Sequence, residues 1–218
     1  MERVEKRRGK GLLIAIFMLL FQSLIYFLTK LVQEKAFVLN SSLEDKIPFI
    51  SWFVYFYIIW YPMLLIIPIC IYNKKKDVFY RYFSVYIISV LICGIIFVLF
   101  PTTLIRPVIK GTDVTSFLVN EVYELDTPAT NCLPSIHCLV AILFMYGIRK
   151  LRINNVWKAI VYVLSICIIL STFFIKQHVI LDLLAAIAVI TIAITLTNSF
   201  SIWKKIYKLF ERQEYKEI

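Results

Sequence analysis

Two histidines and one aspartate stand out because each lies within or at the mouth of a long apolar run. His178 and Asp182 are four residues apart in the stretch Ser171 to Asp182. A helix running from Gln177 onward puts them on one face, a single turn apart. An acid one turn from an imidazole fixes its tautomer and raises its basicity, as in a nucleophile with its orienting group. The other histidine, His137, follows Pro134-Ser135-Ile136 at the head of another apolar run. Asp182 is the only carboxylate inside these runs, a costly position unless the acid is paired, and so by default a functional one.

Around these three residues stand groups suited to an anion. Arg106 and Lys176 can neutralise phosphate oxygens. Ser135 and the free N–H groups at the start of the helix that follows it add donors. One imidazole can attack phosphorus while the other protonates the leaving oxygen. The plainer alternatives are satisfied interfacial histidines, interfacial anchors for Arg106 and Lys176, and helix caps or packing hydroxyls for Ser135 and Ser171. A zinc site built from Cys132, His137, Cys138 and His178 is disfavoured, because adjacent His and Cys make poor ligands. No metal and no cofactor is expected.

The elements that must position these residues are membrane helices. Of 218 residues 61% are apolar and 17% charged, with a mean hydropathy of +0.81, far outside the range of a soluble globular domain. The expected fold is all-α: one domain over residues 1–218, with six spanning helices and a motif-bearing core at about 100–200. The runs are Gly11–Leu31, Pro48–Tyr72, Tyr82–Phe100, Pro134–Ile148, Val156–Ile175 and His178–Phe200. Pro62 and Pro68 predict a bend in the second. The fourth, at about 15 residues, reaches only roughly 22 Å, so its outer end starts below the membrane surface. Asn73 to Asp77 reads as a short charged turn. Val114, Phe117, Leu118, Val122 and Leu125 form a stripe opposite Glu121 and Glu124, with Asp113 as N-cap, which suits either a short interfacial helix or a polar loop. The first run is too long for a cleavable signal and no small-residue cleavage site follows it. Cys70, Cys93 and Cys167 read as small buried residues, and a Cys132–Cys138 disulfide is conceivable.

Six spans put both termini on one side. Eighteen of the 24 Lys and Arg residues fall on that side, and six on the other: Lys30, Lys35, Lys46, Arg106, Lys110 and Lys176. The positive-inside rule makes the termini, residues 1–10 and 202–218, cytoplasmic tails. The net charge of +10 then reflects orientation and contact with anionic lipid, and nucleic acid is not needed. On this topology Arg106, Ser135, His137, Ser171, Lys176, His178 and Asp182 converge at the outer end of the bundle.

The ordered set resembles the type 2 phosphatidic acid phosphatase superfamily, the lipid-phosphatase relatives of the vanadium haloperoxidases. Arg106-Pro107 is similar to its first motif, Pro134-Ser135-Ile136-His137 to its second, and Ser171-Thr172 with His178 and Asp182 to its third. The resemblance implies that His178 is the nucleophile that becomes a phosphohistidine and that Asp182 orients it. It implies that His137 is general acid and then base, and that Arg106, Ser135 and Ser171 bind phosphate, with no metal. Leu99 stands where the family has Lys, Thr172 where it has Arg, and Ile136 where it has Gly. Lys176 is the expected substitute cation. These departures resemble the branch that includes inositol phosphorylceramide synthases, which pass the headgroup to an alcohol. The expected activity is hydrolysis of a lipid phosphate monoester or diphosphate at the outer face of the cell membrane. A headgroup transferase is the first alternative, and a non-catalytic transporter or scaffold the second. The expected partners are a membrane lipid phosphate and the bilayer. Residue usage rich in Ile, Lys, Asn and Phe hints at a bacterium.

Overall fold

The structure is a computed structural model that describes residues 2–33, 35–39 and 43–211, with only the backbone for residues 2–8. Eight α-helices carry it: α1 (Glu2–Leu31), α2 (Val54–Lys74), α3 (Lys76–Leu99), α4 (Val114–Leu125), α5 (Ile136–Ile148), α6 (Asn155–Phe174), α7 (Ile180–Ser199) and α8 (Ile202–Phe210). Two-residue strands β1 (Phe37–Val38) and β2 (Thr102–Thr103) pair in parallel. Five segments are long and apolar enough to cross a membrane: Gly9–Leu31, Ser51–Lys74, Lys76–Leu99, Asn155–Phe174 and Ile180–Ser199. The chain is a multi-pass membrane protein, all-α apart from the two short strands.

Helix α5 is the exception in length. Its 13 residues rise about 20 Å, two thirds of a hydrocarbon core. It can be short because protein surrounds it: Leu139, Val140, Ala141, Leu143 and Phe144 are fully buried. Gly147 lets it approach α2 and α3, since a Cβ there would meet Ile71 at 2.4 Å and Tyr82 at 2.9 Å. The core around it is aromatic, with Tyr72, Phe79, Tyr80, Tyr82, Tyr86 and Phe97 all buried.

Several boundaries differ from the sequence expectation. The charged turn shrinks to Lys75 alone, because α2 runs through Pro62 and Pro68 to Lys74 and α3 starts at Lys76. Helix α4 forms with Asp113 as its N-cap, its carboxylate accepting from the Thr115 and Ser116 N–H groups. Its expected apolar stripe splits, however. Val122 joins Val119 against Val54, Tyr57 and Ile175, while Val114, Phe117 and Leu125 stay exposed. The C-terminal tail becomes α8, with Trp203 and Tyr207 turned inward. Residues 212–218 lie outside the described residues, as do the side chains of Arg3, Lys6, Arg7 and Arg8, so that part of the charge asymmetry has no structural counterpart.

Candidate active site

His178 does not lie on a helix. Helix α6 ends in a Schellman turn: the Gln177 N–H bonds the Thr172 carbonyl at 2.8 Å and the Lys176 N–H bonds the Phe173 carbonyl at 3.1 Å. That motif needs a left-handed residue at its apex, and Lys176 supplies it with φ 55°. His178 follows directly, its own N–H also on the Thr172 carbonyl at 3.0 Å. Val179 is the N-cap of α7, and Asp182, in the first turn, reaches back to the Val179 N–H at 3.0 Å. The same oxygen, Oδ2, meets His178 Nδ1 at 2.9 Å. The expected pair therefore forms across a helix start rather than along a helix. Asp182 is fully buried and its Oδ1 has no partner.

His137 sits in the first turn of α5, behind the N-cap Ser135, whose Oγ accepts from the Cys138 N–H at 3.2 Å. The two motif stretches are tied through backbone, the Ser135 N–H donating to the Asp182 carbonyl at 3.3 Å. The two imidazole centroids are 5.9 Å apart. Tyr57 stacks on His137 at 4.3 Å and Trp60 lies against it at 4.1 Å. Its Nε2 is buried without a partner.

Both histidines line a cavity of about 250 Å³. One wall is polar, with Gln22, Tyr26, Asp126, Asn131 and Gln177. The other continues along the α1–α2 seam as Leu19, Phe27, Tyr61 and Leu64. Leu19 to Tyr26 covers about 10 Å along α1.

Arg106 stands behind this wall. It donates to Asp126 Oδ2 and to Gln177 Oε1, each at 2.5 Å, and to the Tyr123 carbonyl at 3.2 Å, while its Nε is a buried orphan. Asp126 gathers two further donors, the Tyr26 hydroxyl and Lys30 Nζ, the latter at 3.0 Å. Sequence reading missed Lys30, Asp126, Tyr26 and Gln177. For Lys30 a signal existed: it is one of the six basic residues on the histidine side. Gln33, one turn further, bonds the Phe97 carbonyl at 3.0 Å, so Lys30 enters near the end of the helix that carries Leu99.

Two expected phosphate ligands are placed elsewhere. The Lys176 ammonium is held by the Glu44 and Ile47 carbonyls at 2.7 and 2.5 Å, because its left-handed backbone turns the side chain onto the 44–47 segment. Glu44 in turn accepts from the Ile180 N–H at 3.3 Å. Ser171 donates to the Ile168 carbonyl at 2.6 Å and is fully buried, a bond back along its own helix. Thr172 is likewise fully buried and donates to the Ile169 carbonyl. Cys132 and Cys138 are free thiols. Among the described residues no group of three or more His, Cys, Asp or Glu is arranged to hold a metal.

The arrangement offers a nitrogen nucleophile with its orienting acid, a second imidazole across the cavity, and two cations bridged by a carboxylate. Comparison with curated proteins and with solved structures finds no match. Comparison with protein families finds one, the PAP2 superfamily, over residues 22–196. That match spans the last third of α1, α2 to α6, most of α7 and both histidine stretches, and the chain therefore belongs to the PAP2 superfamily.

Proposed function

We propose that the chain is a lipid phosphatase that cleaves a phosphate monoester or diphosphate through a phosphohistidine. The observation that carries this reading is a pair of imidazoles 5.9 Å apart at the polar end of a cavity with an apolar flank. A phosphorus atom between the rings lies within reach of a nitrogen from each. The flank along α1 and α2 suits an acyl or prenyl chain, which makes the substrate a lipid.

His178 Nε2, left free because Nδ1 is held by Asp182, attacks phosphorus. The N–P bond forms as the bond to the lipid oxygen breaks, and that oxygen takes a proton from His137. Tyr57 and Trp60, packed against the His137 ring, hold it in place for both proton transfers. Neutral His137 then accepts a proton from water, the water oxygen attacks phosphorus, and the N–P bond breaks to release phosphate. Asp182 stabilises the positive charge on the His178 ring while the adduct exists. Arg106 and Lys30 bring positive charge to the oxygens, with Asp126 keeping both in place between turnovers. Leu99 and Thr172 leave the site without two cations of the family pattern, and Lys30 makes good one of them.

The basic asymmetry supports an outward-facing site, so intact cells should hydrolyse a membrane-impermeant substrate analogue. The decisive experiment incubates purified protein with a panel of lipid phosphates, with and without alcohol acceptors, beside His178→Ala. Phosphate release in the wild type and none in folded His178→Ala is the expected result. Transfer to the alcohol without net release would make the chain a headgroup transferase. Full activity in His178→Ala would remove the mechanism.

A further inference from the structure

The opposite end of the bundle, where the described termini lie, contains a second group of cations that no described carboxylate pairs with. A cavity of about 80 Å³ is lined by Val78 and Arg81 of α3, Tyr146, Arg149 and Lys150 around the end of α5, and Asn198 of α7. The Arg81 guanidinium lies 3.8 Å over the Trp203 ring of α8, and Arg149 lies 4.0 Å over Tyr146. Arg81 also donates to Asn198 Oδ1 at 3.3 Å. No carboxylate among the described residues forms an ion pair with Arg81, Arg149 or Lys150. The contrast with Lys10 and Lys76 at the same end is direct, because Glu211 answers both, at 2.7 and 2.9 Å.

Three cations around one small cavity repel one another, and arginines free in water would splay apart. Here the aromatic faces hold two guanidinium planes still and leave their N–H edges as donors, the geometry that suits a phosphate group. We infer that this cavity is a second anion site, which binds the phosphate group of a membrane lipid whose headgroup carries a net negative charge. The lipid source follows from the surroundings. Phe200 beside Asn198 is 63% exposed and Leu209 of α8 is 76% exposed, while Trp203 and Tyr207 face inward. The exposed face of α8 also carries Lys204, Lys205 and Lys208, and a basic face edged by apolar residues suits an anionic membrane surface, which sets the cavity at headgroup depth. The site is separate from the histidines and stands or falls independently of the proposed reaction.

The test is thermal unfolding of the purified full chain in neutral detergent. Dioctanoyl phosphatidylglycerol, the phosphatidylcholine of the same length, and inorganic phosphate are titrated separately. Phosphatidylglycerol is expected to raise Tm saturably by about 3–6 °C, by linkage to the folded state. Arg81→Gln and Arg149→Gln should each weaken its apparent affinity about tenfold, the effect of losing about 1.4 kcal/mol of contact. His178→Ala should leave the shift unchanged. Arg149 and Lys150 are exposed, so Lys150→Gln replaces the Arg81 variant if the latter does not fold. Equal shifts from phosphatidylcholine, or a shift that survives all the substitutions, overturns the site. A shift from inorganic phosphate alone, equal to that of the lipid, overturns the lipid as its source.

Discussion

The two ends of the bundle handle buried polar groups in opposite ways. At the terminal end Glu211 takes donors from Lys10, Tyr72, Lys76 and Tyr80 at 2.7 to 3.0 Å. At the histidine end several described buried atoms have no partner, among them His137 Nε2, Asp182 Oδ1, Arg106 Nε, Gln177 Nε2, Thr130 Oγ1 and Trp60 Nε1, against Asn73 Oδ1 and Thr197 Oγ1 towards the other end. Native proteins leave few such atoms unpaired. A satisfied cluster ties helices together, as Glu211 ties the chain ends to α2 and α3. An unsatisfied one, beside a cavity, waits for something to bind. The proposed chemistry thus lies at the end opposite this tie.

The sharpest way to break this contrast is to remove a group whose charge is proposed to act in catalysis. Asp182→Asn keeps the shape but loses the charge that orients His178. The expected loss in kcat is about 10³- to 10⁴-fold, the scale seen when a triad loses its acid. It is read by phosphate release from folded protein; a loss below tenfold would reduce Asp182 to a helix cap. The cations come next. Arg106→Ala should lower kcat/KM by about 10²-fold or more, as for one lost transition-state donor. Lys30→Ala should lower it about tenfold, since a unit charge roughly 8–10 Å away through partly screened protein is worth about 1.5–2 kcal/mol. No effect of Lys30→Ala would show that Arg106 works alone.

How much of this was legible in the sequence divides along the same line. The apolar runs gave the helices directly, and Asp113 marked the start of α4, because length and capping are local. The histidines and Asp182 were legible because polar groups are rare in such runs. Lys30 and Asp126 were not, because their meeting joins residues 96 apart in sequence and depends on how α1 packs against the end of α4. Lys176 misled for a related reason. Two residues from His178, it looked like a phosphate ligand, and only the left-handed turn at the end of α6 sends its ammonium to Glu44 and Ile47.

Lys176 therefore tests whether the histidine end also contains pure structure. Losing its bonds to two carbonyls should cost about 1–3 kcal/mol of stability, or roughly 2–10 °C in Tm for a chain of this size. Activity per folded molecule should change less than tenfold. Lys176→Gly should be more stable than Lys176→Ala by about 1 kcal/mol, since glycine adopts positive φ without the Cβ penalty. If the ammonium contacts phosphate instead, both variants lose kcat/KM equally and by far more than their stability predicts.

The last expected effect belongs to Glu211, touches stability alone and is read through pH. Burial raises the pKa of this carboxyl, but the hydrogen bonds from Lys10, Tyr72, Lys76 and Tyr80 outweigh burial and bring it from an ordinary 4.5 to about 2. A carboxyl with a depressed pKa in the folded state adds stability that is fully present above pH 4.5. Below that the unfolded chain takes up a proton while the folded one does not, so the contribution shrinks with falling pH and is gone near pH 2. Glu211→Gln lacks this contribution at every pH. The Tm difference between wild type and Glu211→Gln should therefore be constant from pH 7 to about 5 and narrow steadily as pH drops further. High salt should reduce the difference only in part, because the carboxylate is 8% exposed and buried pairs are poorly screened. A difference that stays flat down to pH 3 would mean that the cluster holds its helices by packing and neutral hydrogen bonds. The two ends would then differ in how many partners their buried groups have, and charge would play no part at the terminal one.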